Sequence, residues 1–511
     1  MANLKTYLSK NWLNDPKSNI LSGIVVALAM IPEAIVFSDI AGVDPTVGLY
    51  GAFCLSISIA LVGGRIGMIT SVTGSTALLM TDLVKQWGPE LGFSYLIAAG
   101  LLTGIFQILW GYLKLAYQMR FVPTAVLSGF VNALALLILQ NQLPQLGIGG
   151  DENVIGRYPI NEQIPKVWLL VILGLVIIYG LPKLTKALPS QLIAIVAITL
   201  ISIAFNFDIP TVKDLGELPS RFPLPTLPFG SLEQNKIPFN LETLGIILPF
   251  SLAISLVGLM ETFLTQDILD EATDTNSNKN KEARGQGISN IIASIFGGMA
   301  GCALVGQSVM NVENGGKSRL STLSSGLSLI IMIIILKPWI SQIPMAALVS
   351  VMITIVVSTA DISGLKNIKK IPKSDTSVML TTFSVTMLTH NLAYGVVAGV
   401  VLASILFSRK VAKVITVARI KTDQDTITYK VEGQLFFVSK IYFLQGFNIH
   451  EHPKSIVLDM SLATIWDQSG VVALDQIVRK FKNGGSEVEI IGLNKESLNL
   501  FERLGGMETS H

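Results

Sequence analysis

Apolar runs of about bilayer length recur along most of this 511-residue chain, and they restrict its fold more than any other feature. A membrane-crossing helix needs about 20 mostly apolar residues. Fourteen such segments centre near residues 20–40, 45–62, 68–86, 94–113, 122–143, 167–181, 189–206, 244–266, 286–302, 305–314, 320–338, 343–360, 376–390 and 391–408, two of them too short or too interrupted to be simple helices. Between residues 376 and 408 there is no Asp, Glu, Lys or Arg, and the only histidine is His390. That run is too long for one span, and His390-Asn391 marks a turn between two.

Charge is scarce in these runs and ordinary after them. The first 420 residues carry 51 charged side chains, and the last 91 carry 21. Overall 14% of residues are charged, against about 25% in a soluble protein. The division implied is a cytoplasmic N-terminus over 1–18, a transmembrane domain over 19–410, a linker over 411–420 and a soluble domain over 421–511. This composition excludes a soluble enzyme, a disordered chain and a nucleic-acid binder. No nucleophile–base pair, metal cluster or phosphate-binding loop appears, so neither enzyme chemistry, a bound cofactor nor ATP-driven pumping is expected. Cys54 and Cys302 lie in apolar runs and suggest no disulfide. The polar stretch from Met1 to Asp15 lacks the apolar core of a signal peptide and is expected to remain in the mature chain.

An even number of spans puts both ends on one side. Arg65, Arg120, Lys186, Arg319 and the lysines between 366 and 373 concentrate on one set of loops, which places both termini in the cytoplasm and the protein in the plasma (inner) membrane. The Pro-rich stretch 207–240 on the other side reads as an extended cover. In the tail, Thr426–Val431, Gln434–Val438, Ser455–Met460 and Glu487–Leu493 read as strands. Ser469–Lys482 and Lys495–Leu504 read as helices, giving a small α/β domain. His450 and His452 read as solvated surface.

The chain contains an internal repeat. Gly63-Gly64-Arg65-Ile66-Gly67 precedes Val72-Thr73-Gly74-Ser75-Thr76, and Gly297-Gly298-Met299-Ala300-Gly301 precedes Val305-Gly306-Gln307-Ser308. Each unit has a GGxxG element, a short β-type stretch, then Gly and small polar residues opening a helix. Such small-residue patches also let helices pack closely. Repeated together with the polar residues behind them, they are the signature of a transporter with paired half-helices. Two helix N-termini facing one cavity present free N–H groups and positive dipole ends, which suit an anion.

Two carboxylates lie inside spans. Glu261 is the only charge between Leu244 and Thr265. A carboxylate at that depth costs about 2.5–3.5 kcal/mol to insert and marks a functional position. It can carry a proton, or it can hold Na⁺ with Thr265, one helical turn on. Glu33 follows Pro32, where the first span is expected to break. It either charges and shapes the site or bonds backbone groups that the proline frees. Gln307 supplies an amide where an anion site would favour a cation. Asn132, Gln140 and Asn141 read as interhelical hydrogen-bonders.

Several motifs together resemble the SulP anion transporters, the sulfate-permease family that includes animal prestin and pendrin. They are Ile31-Pro32-Glu33-Ala34, Asp44 to Phe53, Gly258 to Thr262 and Gly315 to Ser321. The tail resembles the STAS domain that ends most members. The resemblance runs from about Asn19 to Leu504. It implies a polytopic α-helical protein with fourteen spans as two inverted seven-span repeats, broken third and tenth helices, and a small cytoplasmic α/β STAS domain. It implies a core and a gate domain, an elevator motion, a homodimer in the lipid bilayer and a cytoplasmic partner for the STAS domain. It places the anion at Glu33, Phe37, Thr73, Gly74, Ser75, Thr76, Gly306, Gln307 and Ser308, and the coupling H⁺ or Na⁺ at Glu261, with Thr265 beside it. Many members have Gln where Glu33 stands, and animal members have Arg where Gln307 stands. Asp467-Gln468-Ser469-Gly470 resembles the phosphorylatable STAS loop, but Gln468 occupies the acceptor position and Ser469 remains.

The function expected is secondary transport of a small oxyanion or carboxylate of the sulfate or bicarbonate class, by H⁺ or Na⁺ symport. Two alternatives stay open: a nucleobase-type permease of similar fold, and a membrane-anchored STAS regulator or sensor.

Overall fold

Proline sets where the first helices begin. Pro16 and Pro45 lack the N–H that a first helical turn leaves unpaired, and their fixed φ suits that turn. A computed structural model describes residues 11–114, 122–149, 157–184, 189–230, 236–421, 425–451 and 453–504. Helix α1 runs Pro16–Ala41, capped by Asp15, whose carboxylate accepts from Ser18 N, and closed by Gly42 at φ +79°. Helix α2 runs Pro45–Val62. Strand β1 is Thr70–Ser71, and α3 runs Gly74–Tyr112. The third and fourth expected segments are two helices within this range, which meet at a kink where Gly88 leaves the helical conformation (φ +75°) before Pro89. Next come α4 (Thr124–Gln142), α5 (Ile164–Gly180), α6 (Ser190–Ala204), α7 (Leu241–Thr273) and α8 (Lys279–Ile295). Strand β2 (Cys302–Ala303) leads into α9 (Val305–Glu313). Five helices follow: α10 (Arg319–Ile340), α11 (Met345–Thr359), the short α12 (Ile362–Lys366), α13 (Lys373–Thr389) and α14 (Leu392–Ala412).

Helices stand at the places of all the expected segments. Among the described residues, eight are long and apolar enough to cross a membrane, and α6 and α11 are shorter apolar helices. The expected break at Pro32 does not occur: α1 passes through it as one helix. The missing N–H removes one hydrogen bond, and full burial from Met30 to Ser38 holds the helix on both sides.

The helices fall into two packed groups. In the first, α3 lies along α7 and α8, while α10 lies along α1 and α2. In the second, α4 lies against α13 and α11, and α5 against α6 and α11. The stretch 208–230 is extended apart from a 3-10 turn at Val212–Asp214. Its backbone pairs Val212 with Ile343 and Thr226 with Ile295, and it accepts from Thr46 and Tyr50 of α2 at Glu217 O and Arg221 O.

The chain divides into compact units at residues 399 and 400. The second unit holds a four-stranded sheet in the order β3 (Thr416–Lys421), β4 (Thr426–Leu435), β5 (Ser455–Ile465), β6 (Glu487–Ile491). β3 is antiparallel to β4, and the remaining pairs are parallel. Helices α15 (Lys440–Gln445), α16 (Gln468–Asn483) and α17 (Lys495–Leu504) complete it, around a core that includes Tyr429, Phe443 and Phe481. The expected strand Thr426–Val431 and the first two residues of Gln434–Val438 form one strand, and Phe436–Val438 turn away from it. Its register shifts between Lys430 and Glu432, and Gly433 takes φ +109° beside the shift. The expected linker 411–420 holds the end of α14 and most of β3. Composition alone misplaces that edge, because β3 begins before charge density rises. Asp467 caps α16 at Gly470 N, 2.9 Å away.

Arg120, Lys186 and His452 lie outside the described residues, as do residues 1–10 of the expected N-terminal segment.

Candidate functional site

The repeat brings its two halves together in space. β1 and β2 pair antiparallel, Thr70 with Ala303 and Ser71 with Cys302. Because the strands run oppositely, α3 and α9 leave the ribbon in opposite directions with their N-termini toward it. A two-stranded ribbon is marginal alone, and buried side chains hold this one. Ser56 donates to Thr70 O, Gln286 to the Thr70 hydroxyl, and Asn290 bonds both N and O of Gly301. The GGxxG glycines serve close approach as well. A side chain on Gly298 would sit 2.5 Å from Gly51 Cα, and one on Gly301 would sit 2.0 Å from Ser71 O.

Helix α9 has nine residues, about 13 Å at 1.5 Å per residue, less than half of a hydrocarbon core about 30 Å thick. Among the described residues, the amides of Gly74, Ser75, Val305, Gly306 and Gln307 have no hydrogen-bond partner. Each helix start adds a partial positive charge of about half a unit. Gly306 is exposed although Gln307 and Ser308 behind it are buried, and a side chain there would meet nothing within 4 Å. The second helix start therefore opens on free space. Gly74 is buried, with Phe37 and Ile138 packed against it.

The other expected anion residues bond one another. Gln307 Nε2 donates to the Glu33 carboxylate, and both side chains are buried. Glu33 thus bonds a side chain of α9 rather than backbone beside Pro32. Thr73 caps α3 through a reciprocal pair with Thr76. Ser308 Oγ accepts from Ile69 N at 2.9 Å, fixing the strand that precedes α3. Ser75 donates to Glu261 Oε2, so the first helix start touches the expected coupling carboxylate directly. Cys302 Sγ, on β2, also donates to that oxygen at 3.0 Å and lies 3.2 Å from Thr73 Oγ1. Thr265 points elsewhere: its hydroxyl donates to Glu261 O, one turn back, at 2.8 Å. Its side-chain bond is a local helix bond, so the expected carboxylate–hydroxyl pair does not form.

Three residues central to the arrangement escaped sequence reasoning. Cys302 read as one more apolar-run residue. Glu282 is fully buried on α8 and accepts from Gly64 N at 2.6 Å and Arg65 N at 2.8 Å. Arg319 is also buried, donating to Ala60 O and Gly63 O at the end of α2. Arg65 pairs with Asp270 at 2.7 Å. Arg65 and Arg319, counted as loop cations, are therefore struts. A Glu two residues from an Arg in a polar helix start was the available signal for Glu282, and its partners lie more than 200 residues away. Asn132 bonds Asp361 N and its own helix, and Asn141 bonds only its own helix.

Comparison with known proteins places this geometry. Residues 17–382 match the family model described as the sulfate permease family, and residues 418–508 match the STAS domain. YbaR of Bacillus subtilis (strain 168) is 45% identical over 497 residues, covering 97% of this chain and 98% of that protein. The bicarbonate transporter BicA of Picosynechococcus is 26% identical over 529 residues, covering 96% and 92%. The murine Solute Carrier 26 family member A9 anion transporter, solved in the inward-facing state, superposes with a TM-score of 0.83 at 17% identity, over 98% of this chain and 90% of that one.

Proposed function

The chain belongs to the sulfate permease family, whose members are multi-pass membrane transporters rather than enzymes, and on that premise we propose that it carries a small oxyanion, sulfate or bicarbonate, coupled to H⁺ or Na⁺. The anion sits at the facing starts of α3 and α9, held by the unpaired amides there. The cation sits at Glu261. The observation that carries this reading is the hydrogen bond from Ser75, at the first helix start, to the Glu261 carboxylate. An anion beside an ionised Glu261 is repelled across a medium of low dielectric. A cation on Glu261 removes that repulsion, so each ion favours the other and the two move together. The names of the relatives support the two anions: the matched family is the sulfate permease family, and BicA is a bicarbonate transporter.

The motion we propose is an elevator. The first helix group carries all the site residues and slides past the second, whose helices pack among themselves. The protein works as a homodimer in the plasma membrane with both termini in the cytoplasm, where the STAS domain meets a cytoplasmic partner.

The test is uptake of labelled sulfate and bicarbonate into proteoliposomes, with H⁺ and Na⁺ gradients imposed separately. One gradient is expected to drive accumulation of one anion, and Glu261→Gln is expected to abolish accumulation while the protein still folds. A Glu261→Gln protein that concentrates the anion as the unmodified one does would remove Glu261 from the coupling role.

A further inference from the structure

Two donors from the connection between α4 and α5 converge on one carboxylate of α1. Arg157 Nη2 bonds Asp39 Oδ1, and Gln145 Nε2 approaches Asp39 Oδ2 at 3.5 Å. The Asp39 side chain is 9% exposed and the Arg157 side chain 27%. Asp39 lies in the last turns of α1, the helix that carries Glu33 and Phe37, and so belongs to the first helix group. Gln145 and Arg157 lie in the connection between two second-group helices. Among the described residues, this is the ion pair of the membrane unit that joins the two groups; the pair Arg65–Asp270 stays within the first.

Two other contacts between the groups are largely apolar. Ile138 of α4 packs against Gly74 and Phe37, and Leu28 and Ile31 of α1 share a groove with Leu192 and Ile195 of α6. Apolar faces slide with little directional penalty, because burial is not directional. A partly buried ion pair is directional and costly to leave half-made. It therefore favours one discrete relative position of the two groups, which the apolar contacts beside it do not.

We propose that Asp39, Arg157 and Gln145 form a latch that holds the two helix groups in the position seen here. It must open before the site can face the end of the bundle at which α1 finishes. The proposal rests on the reading that the groups move past each other. When the latch opens, Arg157 turns to water at the rim, and Asp39 is uncovered beside the widening gap.

The experiment uses the full-length protein with Ile138→Cys as a reporter. Ile138 is buried on the boundary, and Cys54 and Cys302 are buried as well. Labelling by a membrane-impermeant maleimide is measured above the rate of the protein without the reporter. Asp39→Asn and Arg157→Gln are each expected to raise that rate by about tenfold or more, the size expected when a partly buried pair is lost. The exchange Asp39→Arg with Arg157→Asp is expected to return it toward the original rate, which a merely structural role would not do. In a second arm, Asp39→Cys with Arg157→Cys is bridged in proteoliposomes by a bis-methanethiosulfonate that spans the reach of the lost arginine side chain. Uptake is expected to stop and to return on reduction. Unchanged labelling in both single variants, no rescue by the exchange, or normal uptake by the cross-linked protein would each overturn the latch. If the unmodified protein takes up no anion, the transport reading fails, and the labelling rates alone decide the latch.

Discussion

At the start of α3 the chain supplies its own cap, and at the start of α9 it does not. The Thr73 hydroxyl accepts from Thr76 N at 3.5 Å, and Thr73 N donates in return to Thr76 Oγ1 at 3.4 Å. Leu304, at the equivalent position before α9, has no side chain that can accept. Gly74 is closed over by Phe37 and Ile138, whereas Gly306 opens on free space. The two halves of the repeat thus share a backbone course and divide the chemistry. The first half keeps its start closely packed on the side of the Gly74 Cβ position and reaches Glu261 through Ser75. The second supplies the open donors and leans on Glu33 through Gln307. A pair of half-helices alike in sequence pattern need not contribute alike to the anion.

Substituting the two glycines tests this asymmetry most sharply. Gly306→Val is expected to weaken anion binding about tenfold or more, equivalent to about 1.4 kcal/mol, with the thermal midpoint unchanged. The new side chain would enter the space an anion needs, where a Cβ meets no protein atom within 4 Å. Gly74→Val is expected to act on folding instead. Its Cβ would lie 2.7 Å from Ile138 Cδ1 and 3.1 Å from Phe37 Cε1, and such overpacking costs about 1–3 kcal/mol. Calorimetric titration and thermal unfolding of the two purified variants separate these outcomes. Equal loss of affinity with equal stability would make the two starts equivalent.

The second start depends on one amide. Gln307→Ala leaves the buried Glu33 carboxylate without its donor, which costs about 1–3 kcal/mol and is expected to lower the thermal midpoint. Glu33→Gln keeps an amide partner for Gln307 and removes a negative charge beside the site. It is expected to preserve stability and to tighten anion binding, read as a lower Kd in the same titration. A weaker Kd would mean that Glu33 itself contacts the ligand's cation.

These roles were only partly visible in the sequence. The GGxxG elements and the residues after them gave β1, β2 and both helix starts, because small residues followed by β-type residues have a local meaning. Glu261 stood out because burying a lone charge is expensive wherever it occurs. Thr265 misled because helical spacing brings it to the same face, whereas its hydroxyl is satisfied one turn back. Cys302, Glu282 and Arg319 were missed because their roles depend on partners far along the chain, which spacing does not reveal. β3 was hidden at a composition break: Thr416–Lys421 needs β4 beside it to become a strand.

A smaller effect is expected at the first cap. Thr73→Ala removes the side-chain acceptor at Thr76 N, and such a loss typically costs about 1 kcal/mol. A serine at the same position keeps an oxygen in reach and is expected to restore most of it. Denaturation of both variants in detergent measures the difference. If the alanine variant is as stable as the original, α3 is held by the ribbon alone, and the contrast with α9 rests only on the space around the glycines.

The smallest effect is expected from removing the second unit. Every hydrogen bond among the site residues described above, from Glu33 with Gln307 to Ser75 with Glu261, is made within the first unit. Selectivity should therefore be set there. The position of the cut matters. Ending the chain after Ile420, where composition changes, would keep most of β3 without β4 and leave an unpaired strand edge, which invites aggregation. Ending it after Lys413 keeps α14 whole, since that helix finishes at Ala412, and removes β3 with its sheet. The shortened protein is expected to fold and to take up competing anions in the same order of preference as the full chain, at a different rate. Uptake from an anion mixture, at matched amounts of protein in the bilayer, reads that order. A changed order would mean that the open start at Gly306 is shaped from outside the helix bundle, and the chemical division between the two helix starts would no longer account for selectivity.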